Sequence, residues 1–351
     1  MKIGIVTIPD FNNYGNRLQN YALQVAVEKL GVECHSLVLH RPNLIKSYIK
    51  SLIINNGKSL REKRLDMLRL KAFLNFDHKY VNTIELPDKF TSELAKKYEY
   101  FLVGSDQVWN PAWSKDLFHR MFLEFANDDQ KIAYAPSFGV SEIPNELRKK
   151  YADGLKSFAK LSVREESGAS IVKTLINKEI PVVLDPTMLL NSQEWKEVAK
   201  LPSAIKNEKY LLTYFLGGTN NEYKSCINKM AKEKHLKVLN LLDKETKEMY
   251  ANGPAEFLGL ILNADLVLTD SFHASVFSIL FERQFIVFNR LGSGAGMSSR
   301  ITTLLKKFGL ENCLYQNDLN DYLPDYTLAL DKLEEEQKNS YEYLKESLNL
   351  L

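Results

Sequence analysis

The sequence predicts an α/β protein: two Rossmann-like domains with mostly parallel sheets facing across a cleft. Three observations carry this. Short apolar runs alternate with stretches of helical spacing, the rhythm of βαβ units. The rhythm restarts at Tyr210–Leu216, which splits the 351 residues into two halves of ordinary domain size. Polar side chains gather directly after apolar runs, where parallel strands present their carboxyl ends. The expected division is an N-terminal domain over 1–190, a C-terminal domain over 191–326 and a terminal helix over 327–351.

Lys2–Thr7 is a mostly apolar first strand. Pro9 to Gly15 is a loop of turn formers, and Leu18–Leu30 follows as a helix ended by Gly31. Cys34–Leu39 is the second strand. This βαβ lacks Gly-x-Gly-x-x-Gly, since Gly15 stands alone in the first turn, so a dinucleotide site is not expected. The chain then changes character. Lys46, Lys50, Lys58, Arg61, Lys63, Arg64, Arg69 and Lys71 face only Glu62 and Asp66, with Leu44, Ile45, Tyr48, Ile49, Leu52, Ile53 and Ile54 among or beside them. Two readings stand. The stretch lies on an anionic membrane surface, or it is a solvated helical excursion whose apolar stripe packs on the first domain.

Tyr98–Val103 is a strand that runs into Gly104-Ser105-Asp106-Gln107. Lys131–Ala135 is a strand, Asn145–Ala159 a helix, and Leu161–Val163 a strand that delivers Arg164 ahead of a helix through Leu175. Pro181–Leu184 reads as a strand ending at Asp185-Pro186. In the second half, Tyr210–Leu216 leads into Gly217-Gly218-Thr219-Asn220, a turn suited to cradling an anion. It is not a Walker motif, because no Gly-Lys-Ser/Thr follows. A helix over 221–234, a strand over 236–241 and a helix over 254–262 come next. After the unit described below, a helix over 299–308 and a long charged helix over Thr327–Leu348 complete the chain.

The stretch 264–288 is the most informative. Leu266-Val267-Leu268 is a buried-strand pattern that stops at Thr269-Asp270-Ser271, residues that favour helix starts. His273 follows at once, then an apolar helix, then the strand Phe285–Phe288. This turn puts a histidine and two hydroxyls where free backbone N–H groups and the positive end of a helix dipole attract an anion. A plain helix cap with a satisfied histidine is the competing reading.

Composition excludes several classes. A hydrophobic content of 45% with 26% charged residues describes a globular chain with a full core, and a net charge of +2 gives no field that demands nucleic acid. Three scattered cysteines without Cys-x-x-Cys, and six dispersed histidines, give no disulfide framework and no metal spacing. No apolar run nears the ~20 residues of a membrane span, and the first ten residues form a strand rather than a signal peptide. A cytoplasmic setting is expected, with peripheral contact at the inner membrane face if the basic stretch binds lipid.

The strand ends together nominate a site. Asn13 to Arg17, Ser105 to Gln107, Arg164, Gly217 to Thr219 and Asp270 to His273 share the carboxyl edges of the two expected sheets. Arg164 and Arg300 are fork donors matched to carboxylate or phosphate. With His273 and no metal cluster, they suggest a small anionic substrate.

All of these but Gly217 to Thr219 lie in stretches that resemble the polysaccharide pyruvyl transferase family: NNYGNRLQNYALQ (12–24), FLVGSDQVWNP (101–111), KIAYAPSFG (131–139), LSVREESG (161–168), VVLDPTMLL (182–190), PAEFLGLILNADLVLTDSFHASVFSILF (254–281) and SSRITTLL (298–305). The resemblance implies a glycosyltransferase-B-like arrangement, with acceptor on the N-terminal and donor on the C-terminal domain. It implies transfer of the pyruvyl group of phosphoenolpyruvate onto sugar hydroxyls as a ketal. The acceptor would be a cell-surface glycan or exopolysaccharide, or its lipid-linked precursor. No cofactor is implied beyond phosphoenolpyruvate as co-substrate. The better studied members of the family carry Arg-Leu-His before the central helix; here Ser271, Phe272 and His273 stand there. Either Ser271 and the helix N-terminus suffice, with Arg300 or Arg17 supplying charge, or the substrate differs.

On that footing His273 is the expected general acid/base and Arg164 the carboxylate or phosphate clamp. Arg300, Ser271 and Thr219 are further donor contacts. Asp106 would orient or deprotonate an acceptor hydroxyl, and Asn13, Arg17 and Gln107 would line the acceptor side. The helix N-terminus disfavours a charged imidazole and Asp270 favours one, a balance the sequence leaves open. A nucleotide-sugar glycosyltransferase and a non-catalytic glycan-binding relative are the alternatives, since the two-domain cleft is shared.

Overall fold

The computed structural model describes residues 1–39, 41–53, 57–86, 89–112, 115–206, 208–292, 298–316 and 324–350. Six strands build the first sheet: β1 (Lys2–Val6), β2 (Glu33–Val38), β3 (Thr83–Glu85), β4 (Tyr100–Val103), β5 (Lys131–Ala133) and β6 (Lys160–Leu161). Every pairing is parallel and the order is β3-β2-β1-β4-β5-β6. In this doubly wound order the topological switch falls between β1 and β4, where ligands bind beyond the carboxyl ends. The second sheet has β7 (Tyr210–Tyr214), β8 (Lys237–Asn240), β9 (Leu266–Thr269) and β10 (Phe285–Val287) in the parallel order β10-β9-β7-β8. The switch here lies between β7 and β9, directly above Asp270 and His273.

Between and after the strands run α1 (Tyr14–Glu28), α2 (Leu44–Ile53), α3 (Leu60–Tyr80), α4 (Ser92–Ala95), α5 (Lys115–Met121), α6 (Asn145–Lys156), α7 (Glu166–Ile176) and α8 (Ser192–Val198). The second half adds α9 (Asn221–Glu233), α10 (Lys247–Tyr250), α11 (Pro254–Leu262), α12 (Phe272–Leu280), α13 (Ser298–Phe308) and α14 (Tyr326–Ser347).

Four elements depart from expectation. The first helix begins at Tyr14 rather than Leu18, because the Asn13 side chain accepts from the Asn16 N–H and caps it. The turn formers before Leu18 are therefore a cap and a first helical turn. Pro181–Leu184 does not form a strand; only an isolated bridge joins Val182 to Val163. The first sheet instead includes β3 (Thr83–Glu85), a strand the sequence reading does not contain. Last, the apolar stripe of α2 is not packed against the first sheet: Ile45, Ile49, Leu52 and Ile53 are exposed.

A single apolar core runs from one sheet to the other. Helix α1 follows β1 yet packs on α11 and α12 of the second half. Tyr14 stacks between Phe73 of α3 and Phe257 of α11, with ring centroids 5.1 and 4.6 Å away. Its hydroxyl accepts from Arg69 and donates to the Asn252 carbonyl. Trp195 meets Tyr21 of α1 and Phe277 of α12 edge to face. Burying such rings contributes about 2–3 kcal/mol each, which draws the two sheets together. Helix α14 spans both halves. Near its start the Tyr326 hydroxyl bonds the Arg283 carbonyl. Further along, Ser340 accepts from the Leu184 N–H and Tyr343 donates to the Ala133 carbonyl. The two sheets thus meet with their carboxyl ends turned toward one another, as a glycosyltransferase-B-like pair.

Candidate active site

On the first sheet, the turn after β4 is built for one backbone path. Gly104 sits at φ +124°, and a Cβ there would lie 2.1 Å from the Tyr134 carbonyl oxygen, so only glycine fits. Asp106 follows at φ 66°, a left-handed conformation that aspartate tolerates and that strained sites favour. The Asp106 carbonyl accepts from Ser137 N–H at 2.8 Å, which ties this turn to the one after β5. Asn16, in the first turn of α1, donates to Asp106 Oδ2 at 3.2 Å.

Arg164 lies just past β6, walled in by carboxylates. Its Nη1 donates to Asp185 Oδ2 at 2.6 Å, while Asp106 Oδ1 and Glu165 Oε2 stand 3.5 and 3.7 Å from the guanidinium. Asp185 is fixed in turn by Thr187, whose N–H and hydroxyl both bond Oδ1. Glu165 accepts from Ser137 through Oε1.

The second sheet brings α12 to the same place. Ser271 caps the helix, accepting from Ala274 N–H, so its hydroxyl already serves the backbone. Asp270 takes the N–H groups of Leu216 and Gly217, each at 2.7 Å, and contacts Arg290. The carboxylate expected beside His273 is therefore spent elsewhere. Asp185 of the other half faces His273 instead, with Oδ2 3.7 Å from Nε2: too long for a hydrogen bond, and an ion contact only when the imidazole carries a proton on both nitrogens. The imidazole lies flat against α1 at Gly15, where a Cβ would come 1.9 Å from Nδ1. Gly15 is thus the hole that admits His273. Phe272 lies under both arginines, 4.7 Å from the Arg164 guanidinium and 6.0 Å from that of Arg300, within cation–π reach. Arg300, from α13, approaches Asp106 Oδ1 at 3.9 Å.

His273, Arg164, Arg300 and Asp106 therefore converge, although the chain spreads them over nearly two hundred positions. Asn13 is the cap of α1. Arg17 is 1% exposed, with its guanidinium bonded to Asp77, Asn16 and the Ile8 carbonyl; acceptor binding does not fit a cation so enclosed and so fully bonded. Gln107 accepts from Asn110 beside Gly139. Thr219 precedes Asn220, which caps α9, and takes no part in the cluster. The sequence assigns no role to Asp185 or Glu165, and it names Gly15 and Asn16 only within the span Asn13 to Arg17. The signal for Asp185 and Asn16 was there, each standing next to a strand end or turn inside a quoted motif.

The electrostatics follow from burial. Burial alone pushes the Asp185 carboxyl up, but His273, Arg164 and Thr187 outweigh it and hold it well below the usual carboxylate range. Asp106 is likewise raised by burial and brought below its ordinary value by Arg164, His273, Arg300 and Asn16. Burial and the neighbouring Arg164 cation pull Arg300 down to about 10. Several buried atoms lack a hydrogen-bond partner among the described residues: Arg164 Nε and Nη2, Arg300 Nε, His273 Nε2 and Glu165 Oε2. Four donor-capable nitrogens around one phenyl ring, with two arginines repelling each other, make a site that an anion would satisfy. Among the described residues no group of His, Cys, Asp or Glu is placed to hold a metal ion.

The depressed Asp185 sets a pH dependence. Its folded value lies below the unfolded one of about 3.9, so its contribution is full above about pH 4 and is lost as pH falls further. Thermal melts from pH 7 to pH 3 should show this acid loss. Asp185→Asn should melt lower at pH 7, since Arg164 loses its nearest partner, and should lose less on acidification. A variant whose acid slope matches wild type would show that Asp185 does not carry it.

Two parallel doubly wound sheets, joined at their carboxyl ends over this cluster, define a glycosyltransferase-B-like α/β protein. The chain belongs to the polysaccharide pyruvyl transferase family, whose model matches residues 13–292, and it is a transferase. No curated protein matches the sequence. Among solved structures it is similar to UDP-GlcNAc 2-epimerase from Neisseria meningitidis, bound to UDP-GlcNAc, at 11% identity and a TM-score of 0.49, with 100% of each chain covered. It is also similar to UDP-GlcNAc 2-epimerase from Methanocaldococcus jannaschii (12% identity, TM-score 0.43, 95% of this chain and 99% of that one). A third is MurG from Acinetobacter baumannii (9% identity, TM-score 0.43, 100% and 99%).

Proposed function

We propose that this enzyme moves the pyruvyl group of phosphoenolpyruvate onto two hydroxyls of a sugar in a cell-surface glycan or exopolysaccharide, or in its lipid-linked precursor, as a ketal. The observation that carries the reading is the buried Arg164–Arg300 pair with its unpartnered N–H groups around Phe272 and His273. Phosphoenolpyruvate brings a carboxylate and a phosphate, and two guanidiniums match two anionic groups. Arg300 fills the need created by Ser271, which is engaged in its cap.

The chemistry balances as follows. A proton adds to the methylene carbon, and the first sugar hydroxyl bonds to the neighbouring carbon as that centre becomes oxocarbenium-like. The carbon–oxygen bond to phosphate then breaks, with the electron pair leaving on phosphate. The second hydroxyl closes the ketal. One hydroxyl proton replaces the one delivered, and the other leaves with phosphate. His273 is the group for these transfers, since imidazole both gives and accepts protons near neutral pH. Asp185 orients the ring from 3.7 Å and compensates its charge when protonated. Asp106, held below its ordinary range despite burial, is a poor base. Its role is to accept a hydrogen bond from the acceptor hydroxyl rather than take its proton.

Thermal stability in the presence of ligand tests the donor. A ligand that binds only the folded chain stabilises it by about 2.7 kcal/mol at roughly a hundredfold excess over Kd. Phosphoenolpyruvate should raise Tm by several degrees and nucleoside diphosphate sugars should not. A shift with a nucleotide sugar alone would move the enzyme to glycosyl transfer.

A further inference from the structure

Helix α2 turns its apolar face away from its own protein. Ile45, Ile49, Leu52 and Ile53 are 73, 51, 43 and 77% exposed. Their spacing of four, seven and eight residues puts them on one stripe of the helix. Leu44 and Ser47, on the opposite side, are the half-buried ones. Lys46 and Lys50 are exposed and border the stripe on one flank, and no acidic residue occurs between Asn43 and Arg61.

The cations of α3 are differently placed from the sequence expectation. Lys58 pairs with Asp66 at 2.5 Å and Arg61 with Glu245 at 2.6 Å. Lys244 reaches Glu62, and Lys63 is buried. The Arg61–Glu245 and Glu62–Lys244 pairs join α3 to the second half of the molecule. The outward-facing basic charge next to the apolar stripe is that of Lys46 and Lys50.

We propose that α2 docks the protein on an anionic lipid surface, with the four apolar side chains in the headgroup–acyl boundary and both lysines at the headgroups. A helix with an apolar stripe and a lysine flank suits shallow burial in such a surface. Charge argues against a second copy of this chain as the occupant. An antiparallel two-fold contact through this stripe would put the lysines of both copies on the same flank, and a parallel one would leave each pair without an acidic partner on α2. A lipid surface supplies the opposite sign. No helix of the described residues is long and apolar enough to cross a membrane, so contact through α2 would be peripheral.

The full chain should sediment with vesicles of phosphatidylcholine mixed with phosphatidylglycerol at low salt. Binding should fall with salt, because screening acts over ~8 Å at physiological ionic strength. Lys46→Gln with Lys50→Gln should weaken binding about tenfold or more and flatten the salt dependence, at about 1 kcal/mol for each lysine. Ile45→Glu with Ile49→Glu should remove binding at any salt while leaving the melting temperature within a degree or two. None of these residues belongs to the cluster around His273, so lipid binding and pyruvyl transfer can fail separately. Absence of vesicle binding by the wild type at low salt would overturn the proposal. So would wild-type binding by the isoleucine variant, or a dimer in solution that this variant dissolves.

Discussion

Replacing His273 by glutamine should lower turnover by about 10²-fold or more while the protein stays folded. Glutamine is of similar size, keeps a donor and an acceptor, and cannot carry a proton between groups near neutral pH. The site is ready for that swap. The ring sits in a slot formed by Gly15, and Nε2 has no hydrogen-bond partner, so no buried bond is broken. The measurement is kcat on phosphoenolpyruvate and a glycan acceptor, beside a melt that establishes folding. Activity within a few-fold of wild type in a folded variant would remove His273 from proton transfer. The cluster would then be a binding site alone.

Arg164→Lys is expected to raise the donor KM by about 10- to 100-fold, the loss of one or two charge-assisted hydrogen bonds. Lysine keeps the positive charge among Asp185, Asp106 and Glu165, so the chain should still fold. Arg164→Ala differs in kind. It strands three buried carboxylates, and breaking such a pair costs about 3–5 kcal/mol, so it tests stability rather than binding. Steady-state kinetics of the lysine variant separate the alternatives. A rise confined to the acceptor KM would place Arg164 on the sugar. No change in either KM would make it a purely structural ion pair.

How far the sequence foretold this arrangement depends on the range of the interaction. Strand–helix alternation is local, written in apolar runs and turn formers, and nine of the ten strands follow it; the short edge strand β3 (Thr83–Glu85), three residues long, was not legible. Where a strand was expected and absent, at Pro181–Leu184, proline and a lack of neighbours limit pairing to one bridge. The Tyr14 start of α1 was hidden because Asn13, Gly15 and Asn16 are turn formers by type, and a cap made by Asn13 reversed their meaning. The site is less legible because its key contacts cross the molecule. Asp270, three residues from His273, was the natural partner by proximity. The fold gives that place to Asp185, eighty-eight positions upstream, and uses Asp270 to hold the β7 turn. Arg17 looked functional as a cation in a loop; Asp77, on a helix the sequence left undefined, makes it structural. Gly15 had no visible reason to be glycine until the imidazole from the other half lay on it.

The return of α14 has a mechanical meaning. The backbone passes from the first sheet to the second between β6 and β7, and α14 links the halves again through Tyr343 and the Ala133 carbonyl. Between these links Tyr14 packs on Phe257 and Trp195 on Phe277. The halves are thus sewn along a seam rather than tied at a point, and the seam sets how far His273 and Arg300 stand from Asp185 and Asp106.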